Sequence, residues 1–394
     1  MKLLLPLAVV FGWCACAHAG SGEGGFQERL RERGVDLHAG YISQAATNVQ
    51  GGDRQMWRYA DEWTFSASLD LEKLLGLDAA LLQMTLTDRN GRNLSVDANL
   101  DSLQEVQGIY GRGQTWHWTQ FFYGQKYLDG HLDWKIGRLF GGEDFASFPC
   151  EFMNLALCGP PPGNIAVNAW YNWPVSQWAT RLRASFKGFG YVQLGVFEAN
   201  PEYLLTRRGL DLGSPSSASG VLVPLEVAWQ PVFDGRYAGS YKFGAWYNSR
   251  RATDVGERRT HRGSHGAYVN FLQRLTPSAT GDANRGVSGF LNATFVDRDT
   301  ATLDSQIALG AFIAGPFASR PADQLGLAVG RTHANSRVAA VVRRKSEYVA
   351  EVFYRLQIVS WLDLRPTAQY VRNPGGLAQN EDDVVLGLRI SANL

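Results

Sequence analysis

Apolar and polar residues alternate with a period of two along almost the whole of this chain. The last segment shows it most plainly. Val384, Leu386, Leu388, Ile390, Ala392 and Leu394 share one parity, while Val385, Gly387, Arg389, Ser391 and Asn393 share the other. Side chains of a β-strand point to opposite faces in turn, so this segment has one face for an apolar medium and one for water. The same pattern returns at 62–74, where Trp63, Phe65, Ala67, Leu69 and Leu71 oppose Glu62, Thr64, Ser66, Ser68, Asp70 and Glu72. It returns at 347–358, where Tyr348, Ala350, Val352, Tyr354, Leu356 and Ile358 oppose Glu347, Glu351, Arg355 and Gln357.

Sixteen such segments can be marked, beginning near Val35, Glu62, Ala79, Trp116, His131, Trp178, Tyr191, Val221, Ser240, Gly266, Gly286, Asp304, Asp323, Glu347, Leu362 and Asp383. In the first half, connections alternate in length. Strands 2–3, 4–5 and 6–7 are joined by tight turns, and strands 1–2, 3–4, 5–6 and 7–8 by long segments. A soluble sandwich also alternates, but a single meander of this size, charged on one side of nearly every strand, leaves no room for a dry core. An even strand count, short turns at one end and long loops at the other predict an all-β, antiparallel, up-and-down transmembrane barrel of sixteen strands. Trp63, Trp178, Tyr241, Tyr247, Tyr348 and Tyr370 fall near strand ends, where interfacial aromatics belong. The chain should end on a strand because the last strand must pair with the first; unpaired backbone groups in hydrocarbon cost several kcal/mol each.

The compartment agrees. Lys2, the apolar run Leu3 to Trp13 and Ala17-His18-Ala19 read as a secretory signal over residues 1–19. Residues 20–34 form a short polar segment with helical potential, and 35–394 the barrel. After the leader no apolar run approaches the ~20 residues that a spanning helix needs. In an exported chain, the remaining cysteines, Cys150 and Cys158, are expected to form a disulfide. With 38 basic and 37 acidic residues, the net charge of +1 gives no footprint for nucleic acid.

No catalytic constellation emerges, so neither an enzyme nor a cofactor is expected. His261 and His265 are four apart in "HRGSH", a metal spacing only on a helix with a third ligand, and this stretch reads as a loop between strands. "GRGQ" at Gly111 to Gln114 is a glycine turn without the Lys-Ser/Thr ending of a phosphate loop. The inward parity instead collects both charges, among them Arg181, Arg183, Arg355 and Arg389 with Glu62, Glu347 and Glu351. Tyr191, Trp246 and Tyr268 add aromatics that could stack on sugar rings. A mixed lining suits neutral polyhydroxylated solutes, whereas an anion pore would show mainly Arg and Lys. The connection Gly141 to Gln177 is too long for a simple turn. Its Phe145, Phe148, Phe152, Leu155, Leu157 and Trp170 need a dry place, and a sixteen-stranded lumen is wide enough to receive them.

Several stretches resemble the carbohydrate-selective porin family of bacterial outer membranes, the OprB type. They are "GYISQAATNVQGG", "KIGRLFGGEDFASFPCEFMNLALCG", "YVQLGVFEANP", "YAGSYKFGAWYNS", "GPFASRPADQLGLAVG" and, most specifically, "YVAEVFYRLQIVSWLDLRPTAQYVRNPGG". The resemblance implies a sixteen-stranded porin of the Gram-negative outer membrane that passes glucose and related monosaccharides. It also implies a constriction of arginine and acidic residues, to which Arg138, Glu143 and Asp144 from "GRLFGGEDFA" and Glu351 and Arg355 from "EVFYR" correspond. Arg138 nevertheless falls on the outward parity of strand 5. Such barrels usually end in Phe or Trp, and this sequence ends in Leu394. The loop is expected to enter the lumen, set Glu143 and Asp144 opposite Arg181 and Arg183, and be held by Cys150–Cys158. Expected partners are neutral sugars and outer-membrane lipid, with no nucleic acid; a homotrimer stays open. A general or anion porin, a plugged adhesive barrel and a membrane-embedded enzyme are the competing functions.

Overall fold

The computed structural model of the chain describes residues 23–217, 220–255, 259–276, 285–338 and 345–393. The expected leader and Leu394 lie outside them. A helix, α1 (Glu23–Glu32), leads into sixteen long strands. The first eight are β1 (Val35–Gln50), β2 (Trp57–Asp70), β3 (Ala80–Gly91), β4 (Trp116–Tyr127), β5 (Leu132–Leu139), β6 (Gln177–Phe186), β7 (Gly190–Ala199) and β8 (Gly220–Trp229). The second eight are β9 (Tyr237–Thr253), β10 (Thr260–Arg274), β11 (Gly286–Val296), β12 (Leu303–Ala314), β13 (Gln324–Ala334), β14 (Ser346–Val359), β15 (Leu362–Arg372) and β16 (Asp383–Asn393). A two-residue stub, Val232–Phe233, extends the turn between β8 and β9.

Each strand pairs antiparallel with the next, and β16 pairs back onto β1 from Gly40↔Asn393 to Gln50↔Val384. The sheet is a closed antiparallel barrel without an edge, so every spanning strand has both neighbours. Along β16, Leu386 and Leu388 are among the exposed apolar residues while Arg389 is buried inside. Around the wall, Leu182 lies opposite Leu194, and Leu194 opposite Leu225; each is close to half exposed. Such a continuous apolar exterior suits hydrocarbon and would be a liability in water. Trp229, Tyr241 and Phe271 form a run of ring contacts at 5.3 and 5.4 Å near the short-turn rim, part of an interfacial girdle.

Local chemistry closes the short-turn rim. Asp70 leaves β2 in an extended conformation and caps the helix α2 (Leu71–Leu75), accepting from the N–H groups of Glu72 and Lys73. Gly76 ends that helix at φ 72°, where a Cβ would be strained. Two details differ from the sequence reading. The β1–β2 connection covers only 51–56, because β2 begins at Trp57 rather than Glu62. His261 and His265 lie within β10, not in a loop, and His261 Nε2 is 2.9 Å from Asp254. In both places the strands run further than the clean alternation does, since their ends carry polar residues on both parities.

The connection after β5 turns inward and fills much of the lumen. Phe145 packs on Phe197 and Trp170, and Phe148 and Phe152 meet Phe290, Phe312 and Phe353. The wall makes room with glycine. A Cβ on Gly195 would lie 2.8 Å from the Phe145 ring, and one on Gly330 would lie 3.0 Å from Leu157.

Candidate functional site

The inward loop is fixed by side chains from the wall. Glu226 accepts the N–H of Ala146 at 2.8 Å and is itself held by Tyr191, Tyr268 and Gln193. Glu351 accepts the N–H groups of Met153 at 2.7 Å and Asn154 at 2.8 Å. Cationic side chains take the carbonyl groups: Lys242 donates to Ser147 at 2.7 Å, Arg389 to Cys150 at 2.8 Å, and Arg365 to Glu151. Buried backbone must be paired somewhere, and here strand side chains serve as the loop's partners.

A second anchor lies on α3 (Gly141–Asp144), the first turn of the loop. Asp144 is 3.1 Å from Arg181, 3.3 Å from Arg183 and 3.3 Å from Lys135; Glu143 is 2.8 Å from Lys135. Arg181 is also 3.0 Å from Asp133. Burial pushes the Asp144 carboxyl up, but the three cations outweigh it and hold it below the usual carboxylate range. The structure thus brings Asp144 onto Arg181 and Arg183, with Glu143 turned to Lys135.

The sulfurs of Cys150 and Cys158 are bonded to each other. This bridge faces a cavity of about 470 Å³ between the loop and strands β1 to β4. Its lining includes Glu62, Arg89, Tyr110, Arg112, Gln120, Trp173 and Arg389 with both cysteines. The inward loop forms one side of this cavity, termed the eyelet. Glu62 Oε2 accepts from Arg89 Nε at 2.6 Å and from Trp173 Nε1 at 3.0 Å, so carboxylate, guanidinium and indole are locked side by side. Phe140 supports the Trp173 ring edge-on at 5.4 Å. Arg112 rises from the turn Gly111-Arg112-Gly113, with φ of 105°, 64° and 82°. Its Nη2 donates to the carbonyl of Gly163 at 3.0 Å. Burial, reinforced by the charge of Arg89, pushes its guanidinium down to about 10, which leaves it cationic at neutral pH.

The residues anticipated for the pore are dispersed in the structure. Glu143, Asp144, Arg181 and Arg183 form the loop anchor, and Glu351 clamps loop backbone; none lines the eyelet cavity. Trp246 is buried against Trp170 at 6.5 Å, so the loop covers the ring that sequence parity offered to sugars. Arg355 is half-buried, and its Nε has no hydrogen-bond partner among the described residues. Arg138 requires a correction. It lies on the outer parity of β5, donates to the carbonyls of Ser176 and Asp211 at 2.8 Å each, and stacks 4.7 Å from the Tyr203 ring. It braces the 200–213 loop against the outside of the wall, because that loop covers an outward position that would otherwise have to be apolar. Arg89, Arg112 and Trp173 were missed. The signals were the two glycines flanking Arg112 and the "NWP" stretch at the end of the loop.

Comparison with known proteins agrees with this architecture. The sequence model of the carbohydrate-selective porin family, OprB type, matches residues 54–394. Porin B of Pseudomonas aeruginosa is 40% identical over 406 residues, covering 93% of this chain and 89% of that protein. The high-pH structure of Pseudomonas putida OprB superposes with a TM-score of 0.91 at 37% identity, covering 95% of this chain and 97% of that one. The outer membrane channel DcaP of Acinetobacter baumannii shares the fold alone, with a TM-score of 0.56 at 11% identity over 92% of this chain and 98% of that one. With its closed sixteen-stranded wall and inward loop, the chain belongs to the carbohydrate-selective porin family, OprB type, and is a multi-pass barrel of the Gram-negative outer membrane.

Proposed function

We infer that the eyelet is a passive diffusion path for neutral monosaccharides of the glucose kind. The observation that carries this reading is the locked array of Trp173, Glu62 and Arg89 on one side of the cavity. An aromatic face carries negative charge density and receives the C–H side of a sugar ring. Beside it, guanidinium N–H groups donate to hydroxyl oxygens, and the carboxylate accepts from hydroxyl hydrogens. A solute with apolar faces and a polar rim meets both requirements while it sheds water. Because the carboxylate and guanidinium are already paired, neither holds a neutral solute as tightly as a free charge would, and a conducting site must release what it binds.

Liposome swelling tests this directly. Vesicles carrying the protein should swell faster in glucose than in neutral amino acids of equal size. Equal rates for both solute classes would overturn the reading.

A further inference from the structure

Taking the sugar-channel reading as its basis, we propose that the eyelet also admits, and prefers over neutral sugars, polyhydroxylated monocarboxylates such as aldonic and uronic acids, with Arg112 as the residue that recognises their carboxylate. The lining sets three guanidinium groups, Arg89, Arg112 and Arg389, against a single carboxylate, Glu62. That carboxylate is committed to Arg89 and Trp173. Arg389 donates to the Cys150 carbonyl and to Ser391 Oγ, and Arg112 to the Gly163 carbonyl. Neither has an acidic partner within ion-pair distance among the described residues. The eyelet therefore carries a positive excess, although the whole chain is nearly neutral.

The way Arg112 is presented strengthens the assignment. A non-glycine residue at φ 64° between two glycines also at positive φ is an uncommon backbone, and such conformations gather at ligand clamps. The turn places a long cation at the cavity edge, where a half-buried guanidinium bound only to a carbonyl has donors left for a planar anion. A sugar acid fits both halves of the site. Its carbinol chain or ring uses Trp173 and the Glu62–Arg89 pair, and its carboxylate uses Arg112.

Single-channel block in planar bilayers provides the test, with D-gluconate, D-glucose and propionate as probes at constant ionic strength. The expected half-blocking concentration for gluconate is about tenfold below that for glucose, the scale of one charge-assisted hydrogen bond. Propionate, which lacks hydroxyls, should block more weakly than gluconate. Arg112→Asn removes the charge with a side chain that tolerates the left-handed turn, and should bring the gluconate-to-glucose ratio close to unity. Glucose block that equals or exceeds gluconate block overturns the inference and leaves the sugar channel standing. Propionate as potent as gluconate overturns the sugar-acid class, and an unchanged ratio in Arg112→Asn overturns the role of Arg112. No block by either sugar removes the sugar-channel reading itself. Should the variant fail to assemble, a KCl series on the unmodified protein decides. The gluconate preference must shrink as salt screens the charge, and a salt-independent preference contradicts the proposal.

Discussion

Glu351 holds Asn154 by its backbone N–H at 2.8 Å, and its other carboxylate oxygen takes the N–H of Met153 at 2.7 Å. One strand side chain thereby pins two consecutive residues of the inward loop, midway between the bonded cysteines. The segment also meets the β3–β4 connection, where the Met153 carbonyl accepts the N–H of Gly108 at 2.8 Å and Leu155 N–H donates to the Glu105 carbonyl at 2.9 Å, and Leu155 and Cys158 line the eyelet cavity. The loop is held by buried strand carboxylates and cations.

Replacing Glu351 with Ala should therefore loosen the loop without preventing barrel closure. Two buried N–H groups lose their acceptor, at a cost of about 1–3 kcal/mol each. Single-channel conductance should rise and fluctuate, while the folded band on unheated gels remains. Glu351→Gln keeps one acceptor oxygen and should fall between the two. An unchanged conductance in Glu351→Ala would show that the loop stays put without this clamp.

The Asp144 anchor makes a prediction in pH. Its carboxyl is held below the usual range in the folded protein, so its stabilisation is complete above the ordinary Asp value of about 3.9. It is lost as the pH falls through the depressed folded value. Conductance should rise reversibly in strong acid, below the ordinary Asp range. Asp144→Asn should show the open behaviour already at neutral pH, because Arg181 then loses a buried partner; breaking such a pair costs about 3–5 kcal/mol. A flat conductance across the acid range would separate this anchor from gating.

The sequence carried the barrel further than it carried the pore. Alternation such as that around Arg389 states which parity faces water, and closure of β16 on β1 follows from the absence of hydrogen-bond partners in lipid. Parity says nothing about which inward residues the loop later covers. Trp246 and Glu351 face inward as read, yet both are buried under loop residues that are far away in sequence. Arg112 and Trp173 lie outside the strands, where no period applies, and their meeting with Glu62 and Arg89 is set by long-range packing. Arg138 shows the converse. Its outward parity was legible, but the loop that makes an outward arginine tolerable was not.

The disulfide should act on the loop's shape rather than on the barrel. A bridge closing so short a ring gives about 2–3 kcal/mol in the chain-entropy account. Cys150 and Cys158 line the eyelet, and the Cys150 carbonyl is the acceptor for Arg389. Reduction, or Cys150→Ser, should raise conductance and weaken discrimination between sugars, with barrel melting lowered by no more than the few degrees that this loss implies. Identical sugar discrimination before and after reduction would remove the bridge from the account.

Arg138 offers a control on the outer side of the wall. Arg138→Ala removes two carbonyl partners and the stack on Tyr203, so the 200–213 loop should become accessible to protease. The stability loss should be about 1–3 kcal/mol. Sugar flux should be unaffected, because the side chain is outside the lumen. A change in channel conductance would contradict that placement.

Passage of solute across the Trp173–Glu62–Arg89 array is tested by glucose-dependent block of single-channel current in the unmodified protein and in Trp173→Ala. Small, saturable, glucose-sensitive currents are expected, with a half-blocking concentration raised about tenfold when the ring that receives the sugar face is lost. A large ohmic current indifferent to glucose, or the same half-blocking concentration in both proteins, would contradict it.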